Sequence, residues 1–227
     1  MDNLQAFTPK TSRNYWIDAM RLVMALFVVG VHCTRQIGWG SDPNQGMAIL
    51  NSTIFRTAVP FFFLITSYYV YDRYLASGRQ ASVFFKSGLR YFAMYAFWIA
   101  LYLPIILRET WVGKNLTGWA YFCWFMQEFF LNSPISVFWF MRASALGLGV
   151  MGLFFLYKKM KPIYLLPLAL LLYTMGAFGD AYLNGFVSGS LAEVYASYFK
   201  IFYYSRNMMF DALPFFVIGC LIREYQD

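Results

Sequence analysis

Arg21 and His32 stand eleven positions apart in a stretch, Ile17 to His32, that otherwise reads as a membrane span. At about 1.5 Å of rise and 3.6 residues per turn, their side chains fall on one helix face roughly 16 Å apart. Asp18 shares that face, one turn before Arg21. His32 is the only histidine in the chain. An ionisable group inside a bilayer costs roughly 2.5–3.5 kcal/mol on insertion scales, and such groups commonly mark a functional pathway. A neutral imidazole can act as a general base on a hydroxyl. The alternative for His32 is a buried ring bonded to a backbone carbonyl.

Other basic residues lie in or beside apolar runs. Arg56 is flanked by Phe55 and the run Ala58 to Ile65, Arg142 follows Trp139-Phe140-Met141, and Arg206 precedes the last apolar run. Isolated arginines at span ends often snorkel to the interface, and that reading stays open for Arg206. The alternative is that these cations share the outer half of a helical bundle with His32. Cationic neighbours disfavour a charged imidazole, which suits a base. A metal site is not expected, because no second histidine exists and no cysteine cluster has ligand spacing. There is no G-x-S-x-G elbow and no phosphate-binding glycine loop.

The elements that must hold these residues are helices in a bilayer. The 227-residue chain is 60% hydrophobic and only 13% charged, with a mean hydropathy of +0.50. Soluble domains carry about 25% charge. The apolar runs are long and mostly uninterrupted, unlike the alternating strands of a barrel. The composition therefore predicts an all-α, polytopic transmembrane bundle embedded in lipid. The net charge of +7 lies mainly in short loops, where the positive-inside rule accounts for it without a nucleic-acid partner. Cys33, Cys123 and Cys220 lie in apolar runs and read as small buried hydrophobes, not a disulfide framework.

About six spans are expected. They run from about Trp16 to Cys33, Met47 to Tyr71, Tyr91 to Leu107, Ile135 to Tyr157, Ile163 to Phe178 and Met209 to Ile222. Thr117 to Leu131 carries Gln127 and Glu128 and reads as a re-entrant or interfacial segment on the outer side. Gly179 to Ser205 reads as an outer loop of amphipathic character. Lys10 and Arg13 place the N-terminus inside. Arg73, Arg79, Lys86 and Arg90 place the next loop inside, as Lys158, Lys159 and Lys161 do theirs. No cleavable signal is visible, so the first span is expected to anchor itself in the cytoplasmic membrane.

Read with their order, these motifs resemble the acyltransferase 3 family of integral membrane O-acyltransferases. That family carries an Arg-(ten residues)-His signature on its first helix, commonly after an aspartate. Arg21 and His32 match it, with Asp18 in the aspartate place. Arg56-Thr57-Ala58-Val59-Pro60-Phe61-Phe62-Phe63-Leu64-Ile65-Thr66-Ser67-Tyr68 is similar to the second-helix pattern, and Trp139-Phe140-Met141-Arg142 to a Trp-Phe-Leu-Arg motif of one branch. Arg206-Asn207 and Leu213-Pro214-Phe215-Phe216-Val217-Ile218-Gly219 resemble the late Arg-Asn and Pro-Phe-Phe elements.

The resemblance implies a single transmembrane domain over residues 1–227. It also implies transfer of an acyl group, usually acetyl, from acetyl-CoA or another acyl-CoA. The acceptor would be a hydroxyl of a cell-surface carbohydrate or lipid-linked sugar. No permanently bound cofactor is implied. His32 would be the base. Arg56 and Arg142 would stabilise the oxyanion or hold an anionic acceptor, Arg21 would hold CoA phosphates or pair with Asp18, and Arg206 would join the substrate-binding set. Three departures stand out. Thr66-Ser67 replaces the usual Ser-Gly, so the sequence does not secure a close helix approach there. Ala143 follows Arg142 where aspartate is common. The family has about ten spans, so the chain looks like an N-terminal two-thirds. The rival readings are a transporter of serine or another small carboxylate, as in the membrane half of some serine/alanine racemases, and an inactive truncated fragment.

Overall fold

The computed structural model describes residues 15–36, 53–114, 118–157, 160–179, 189–203 and 205–226, except the side chains of 34–36 and 109–114. Lys10, Arg13, Lys158 and Lys159, on which the expected orientation rests, lie outside the described residues, as does the beginning of the expected second span. The chain forms two compact units, Met1–Phe62 and Phe63–Asp227.

The first unit is built on α1 (Tyr15–Gln36). Between Tyr15 and Val29 it holds no glycine or proline, and Asp18 lies in its first turn, where a carboxylate suits the positive end of the helix dipole. A 3-10 turn, Phe55–Thr57, packs on α1. The Phe27 and Phe55 rings are centred 5.4 Å apart. A Cβ at Gly30 would come within 2.8 Å of the Phe55 ring, so the glycine admits the aromatic.

Helix α2 (Ala58–Ala76) leads to α3 (Ser82–Lys114) through a tight turn. Gly78 and Arg79 adopt left-handed backbone there, at φ 70° and 63°, and the Arg79 N–H donates to the Tyr74 carbonyl. Next come α4 (Gly118–Gln127), a π-helical turn at Glu128–Asn132, and α5 (Trp139–Phe154). A 3-10 turn with Pro162 starts α6 (Leu166–Ala177). Helix α7 (Ser190–Phe199) precedes a second π-helical turn, Met208–Ala212, and α8 (Leu213–Glu224). No strand occurs among the described residues.

Small residues set the close helix approaches, as lipid-embedded packing requires. A Cβ at Gly88 of α3 would lie 2.9 Å from the Ala145 carbonyl oxygen of α5. On α8, a Cβ at Gly219 would lie 2.0 Å from Ser67 Oγ and 2.2 Å from the Leu64 carbonyl oxygen of α2. The close approach that Thr66-Ser67 did not secure is therefore supplied from the opposite helix. Ser67 is buried and turns its hydroxyl back onto Leu64 O at 2.9 Å.

Aromatic rings fill the space between helices. Tyr71, Tyr74, Phe84 and Phe155 pack with centroids 5.1–5.5 Å apart, and Phe63 meets Phe140 and Phe216 at 4.6 and 5.5 Å. At the α2–α3 turn, charges lock the last helix down. Arg223 Nε donates to Asp72 Oδ1 at 2.7 Å, Arg79 Nη2 meets Glu224 Oε1 at 3.4 Å, and the Tyr71 hydroxyl donates to Glu224 Oε2 at 2.6 Å.

Three helices among the described residues are long and apolar enough to cross a membrane: Tyr15–Cys33, Ser82–Arg108 and Ser136–Phe154. The expectation of six such spans is not confirmed. Helices do occur at the other three places, but the apolar helix Pro162–Ala177 is shorter, and α8 has 12 residues after its π-helical turn. Neither reaches the roughly 20 residues that cross a hydrocarbon core about 30 Å thick. Helix α3 also starts nine residues before the expected Tyr91. Lys86 and Arg90 are exposed on its first turns instead of lying in a loop, while buried Phe84 packs the same turns onto Phe155. The segment 118–132 is helical and about 22 Å long, shorter than a bilayer core. The expected outer loop contains α7. Of the three cysteines expected to be buried, Cys220 is, whereas Cys33 and Cys123 are exposed on apolar helices whose outward faces suit lipid.

Candidate functional site

In the first unit, α1 carries three of the residues singled out from the sequence. Asp18 and Arg21, one turn apart, form an ion pair at 3.4 Å with both side chains half-buried. His32 lies near the far end of the helix and is exposed. Arg56 sits in the 3-10 turn that packs on α1 and is also exposed.

In the second unit, Arg142 lies in the first turn of α5 and is only 3% exposed. A guanidinium taken from water needs compensating partners. Its Nη1 donates to the Phe130 carbonyl at 2.9 Å. That carbonyl belongs to the Glu128–Asn132 turn, whose π geometry breaks the ordinary i to i−4 pattern. The turn ends at Ser133, a non-glycine residue at φ 80°, whose N–H returns to Glu128 O at 2.6 Å. Glu128 and Asn132 on the same turn are 5% and 1% exposed. The charges of Arg142 and Glu128 both act on Tyr95 of α3. The Tyr95 hydroxyl donates to Phe129 O at 2.8 Å.

The second π-helical turn borders the same residues. Asn207, 5% exposed, accepts the Met209 and Phe210 N–H groups at 2.8 and 3.2 Å through Oδ1 and so caps the turn. Its Nδ2 donates to the Tyr198 hydroxyl. Burial pushes the Tyr198 phenol up to about 12. The Asn207 bond and the Arg142 charge oppose that rise, and Asp211 adds to it. Asn132 holds the chain after α7 in the manner of a backbone partner: Nδ2 donates to Ile201 O at 3.1 Å and Oδ1 accepts the Tyr203 N–H at 3.1 Å. Arg206, beside Asn207, is exposed.

Two π-helical turns thus converge on one buried cation, with a tyrosine from α3 and another from α7 within its field. Such turns often mark functional positions. A guanidinium fixed in a medium of low dielectric constant can hold a carboxylate or stabilise an oxyanion. The sequence pointed to Arg142 through the Trp-Phe-Met-Arg run. It did not single out Asn132, Tyr198 or Asn207 as site residues. Glu128 was visible only as a charge interrupting an apolar run, although that is the signal a buried acid leaves. Among the described residues no cluster of His, Cys, Asp and Glu could hold a metal ion.

Comparison with known proteins gives the chain's family. A family profile described as an acyltransferase domain matches residues 14–227. The chain is 26% identical over 221 residues to a serine/alanine racemase of Enterococcus gallinarum, covering 95% of this chain and 30% of that protein. It is 27% identical over 210 residues to an amino-acid racemase of Enterococcus faecalis, covering 92% and 28%. Similarity to nodulation protein 10 of Rhizobium leguminosarum bv. viciae is 29% over 120 residues, covering 51% and 31%. The chain therefore spans less than a third of the length of the two racemases. No solved structure matches it.

Proposed function

Because the chain belongs to the acyltransferase 3 family, we propose that it is a membrane-bound acyltransferase acting from an acyl-CoA thioester, acetyl-CoA in the simplest case, onto a hydroxyl of a cell-surface carbohydrate or lipid-linked glycan. The observation that carries this reading is the family match over residues 14–227, which includes every proposed site residue. In this reaction His32 removes the acceptor's hydroxyl proton. The freed oxygen attacks the thioester carbonyl, the carbon–sulfur bond breaks, and CoA leaves as the thiol with the proton that His32 returns. Arg21, steadied by Asp18 at 3.4 Å, binds CoA phosphates. Arg56 and Arg142 are the candidates for stabilising the oxyanion or an anionic acceptor, and Arg206 joins the acceptor contacts. The bilayer is the cytoplasmic membrane, with the N-terminus inside.

A second reading is transport of a small carboxylate. It draws on the two relatives named as racemases of serine, alanine or other amino acids, and on a buried arginine suited to a carboxylate. Labelled acetyl transfer from acetyl-CoA into surface glycans separates the two. Cells expressing the protein should label their glycans, and His32→Ala should reduce labelling about 10²–10⁴-fold without loss of membrane insertion. Arg21→Ala should raise the apparent KM for acetyl-CoA. Full transfer by His32→Ala would remove the base assignment. No transfer by the parent, with accumulation of serine or another small carboxylate, would establish the transport reading.

A further inference from the structure

At the α2–α3 turn the described carboxylates are already engaged, Asp72 with Arg223 at 2.7 Å and Glu224 with Arg79 at 3.4 Å. Three cations remain beside them: Arg73, Lys86 and Arg90. None is in ion-pair contact with a carboxylate among the described residues, and all three are exposed. Arg73 reaches from α2 to α3, where its Nη2 donates to Ser87 Oγ at 3.2 Å while Nε donates to Tyr69 O at 3.3 Å. This lays the guanidinium over Ser87, with Lys86 adjacent in the chain and Arg90 three residues further on, the neighbouring position on the helix. Burial first, and the Arg90 charge second, pull the Arg73 pKa below its ordinary value. Tyr91 and Asp72 oppose that shift. The positive-inside rule accounts for cations at this end of the helices. It does not account for the Arg73 guanidinium being held by Ser87 on α3, one helical turn from Arg90, an arrangement that invites an anion.

The surface beyond Arg90 is of the opposite kind. Lys86, Arg90, Met94, Phe97 and Leu101 follow helical spacing along one stripe of α3. Met94, Phe97 and Leu101 are 45%, 62% and 58% exposed. From Arg90 to Leu101 the stripe is about 16 Å long. That is close to one leaflet's half of a hydrocarbon core about 30 Å thick. Clustered cations at one end of an apolar strip one leaflet long complement an anionic headgroup joined to an acyl chain.

We propose that Arg73, Lys86 and Arg90 bind the phosphate of an anionic phospholipid whose acyl chain lies along Met94, Phe97 and Leu101. The test is thermal melting of the full chain in detergent micelles, titrated separately with phosphatidylglycerol, phosphatidylcholine and inorganic phosphate. Phosphatidylglycerol should raise the melting temperature at lower concentration than phosphatidylcholine, and phosphate alone should not. Arg73→Gln and Arg90→Gln should each weaken the phosphatidylglycerol response about fivefold. Lys161→Gln, which removes one charge elsewhere, should leave it unchanged. Arg90 is exposed, so Arg90→Gln tests the site even if Arg73→Gln disturbs packing against Ser87. An equal response to both lipids, an unchanged response in Arg90→Gln, or an equal loss in Lys161→Gln would overturn the proposal. A response reproduced by phosphate alone would also overturn it, in favour of a soluble phosphate ligand.

Discussion

Replacing Gly219 by alanine should be among the most damaging single-methyl changes in this protein. The added Cβ would lie 2.0 Å from Ser67 Oγ and 2.2 Å from the Leu64 carbonyl oxygen, with Leu64 C at 3.1 Å. Cβ atoms essentially never approach other heavy atoms to less than 3.0 Å. The Ser67 hydroxyl can rotate away, at the loss of its 2.9 Å bond to Leu64 O. The Leu64 carbonyl cannot, because it belongs to the backbone of α2. The two helices must therefore separate by about 1 Å along a seam that also seats Phe216 against Phe63. Overpacking of this kind costs about 1–3 kcal/mol, and an obstacle in helix backbone puts the variant at or above the top of that range. Gly149→Ala is the internal control: nothing lies within 4 Å of its would-be Cβ. That change should stabilise α5 by about 0.5–1 kcal/mol through helix propensity alone. Adding Ser67→Ala to Gly219→Ala should recover only part of the loss, since the carbonyl obstacle stays. Melting of purified protein in one detergent, followed by helical circular dichroism, reads all three variants. A Gly219→Ala melting temperature equal to that of the parent would refute the close-approach argument, as would full recovery by Ser67→Ala.

Further outcomes follow from other contacts. Asn207→Ala removes the cap on the Met209 and Phe210 N–H groups and should cost about 0.5–2 kcal/mol in the same melting assay, with Asn207→Asp closer to the parent. Asp72→Ala and Arg223→Ala should each destabilise, and the charge-swapped pair Asp72→Arg with Arg223→Asp should recover more stability than either single reversal, as read by a double-mutant cycle. The Tyr198 phenol is raised to about 12 in the folded protein, so the unfolded chain loses that proton first as pH rises. The stability held below about pH 10, the ordinary phenol value, should therefore decline between about pH 10 and 12. Tyr198→Phe should flatten that part of a stability-against-pH curve.

Helix content and the residues that punctuate it were legible from apolar runs, because a chain in lipid must satisfy its backbone within helices. Arg142 was legible for the same reason: an arginine in an apolar run has few places to go. Span number was less so. Hydropathy does not reveal that α6 and α8 would be 12 residues long, each bounded by turns of different winding. The polar ring around Arg142 escaped because its members act through backbone atoms. Asn132 binds Ile201 and Tyr203, and partnerships 69 and 71 residues apart leave no local pattern, whereas Asn207 caps Met209 and Phe210 locally and stood in the Arg206-Asn207 pair without a role being read from it. Gly219 shows a subtler limit. A family's small residue was missing on α2, yet the space it would leave was made by the partner helix, which no single position discloses.

The locks between α2 and α8 also set a timetable for biosynthesis. Asp72 and Arg223 are 151 residues apart, and Arg79 and Glu224 are 145. At about 5–20 residues per second, α2 waits roughly 8–30 s for α8 to be made. During that interval its inner face meets lipid or the insertion machinery. Ser67 is prepared for the wait, since it bonds the Leu64 carbonyl of its own helix, as is Ser77 just beyond the helix end, which bonds the Tyr74 carbonyl. Asp72 is not: its ion-pair partner arrives only with α8. The docking of α8 onto α2 is therefore a step exposed to error, and an insertase or chaperone that shields α2 should matter most for variants that slow that docking.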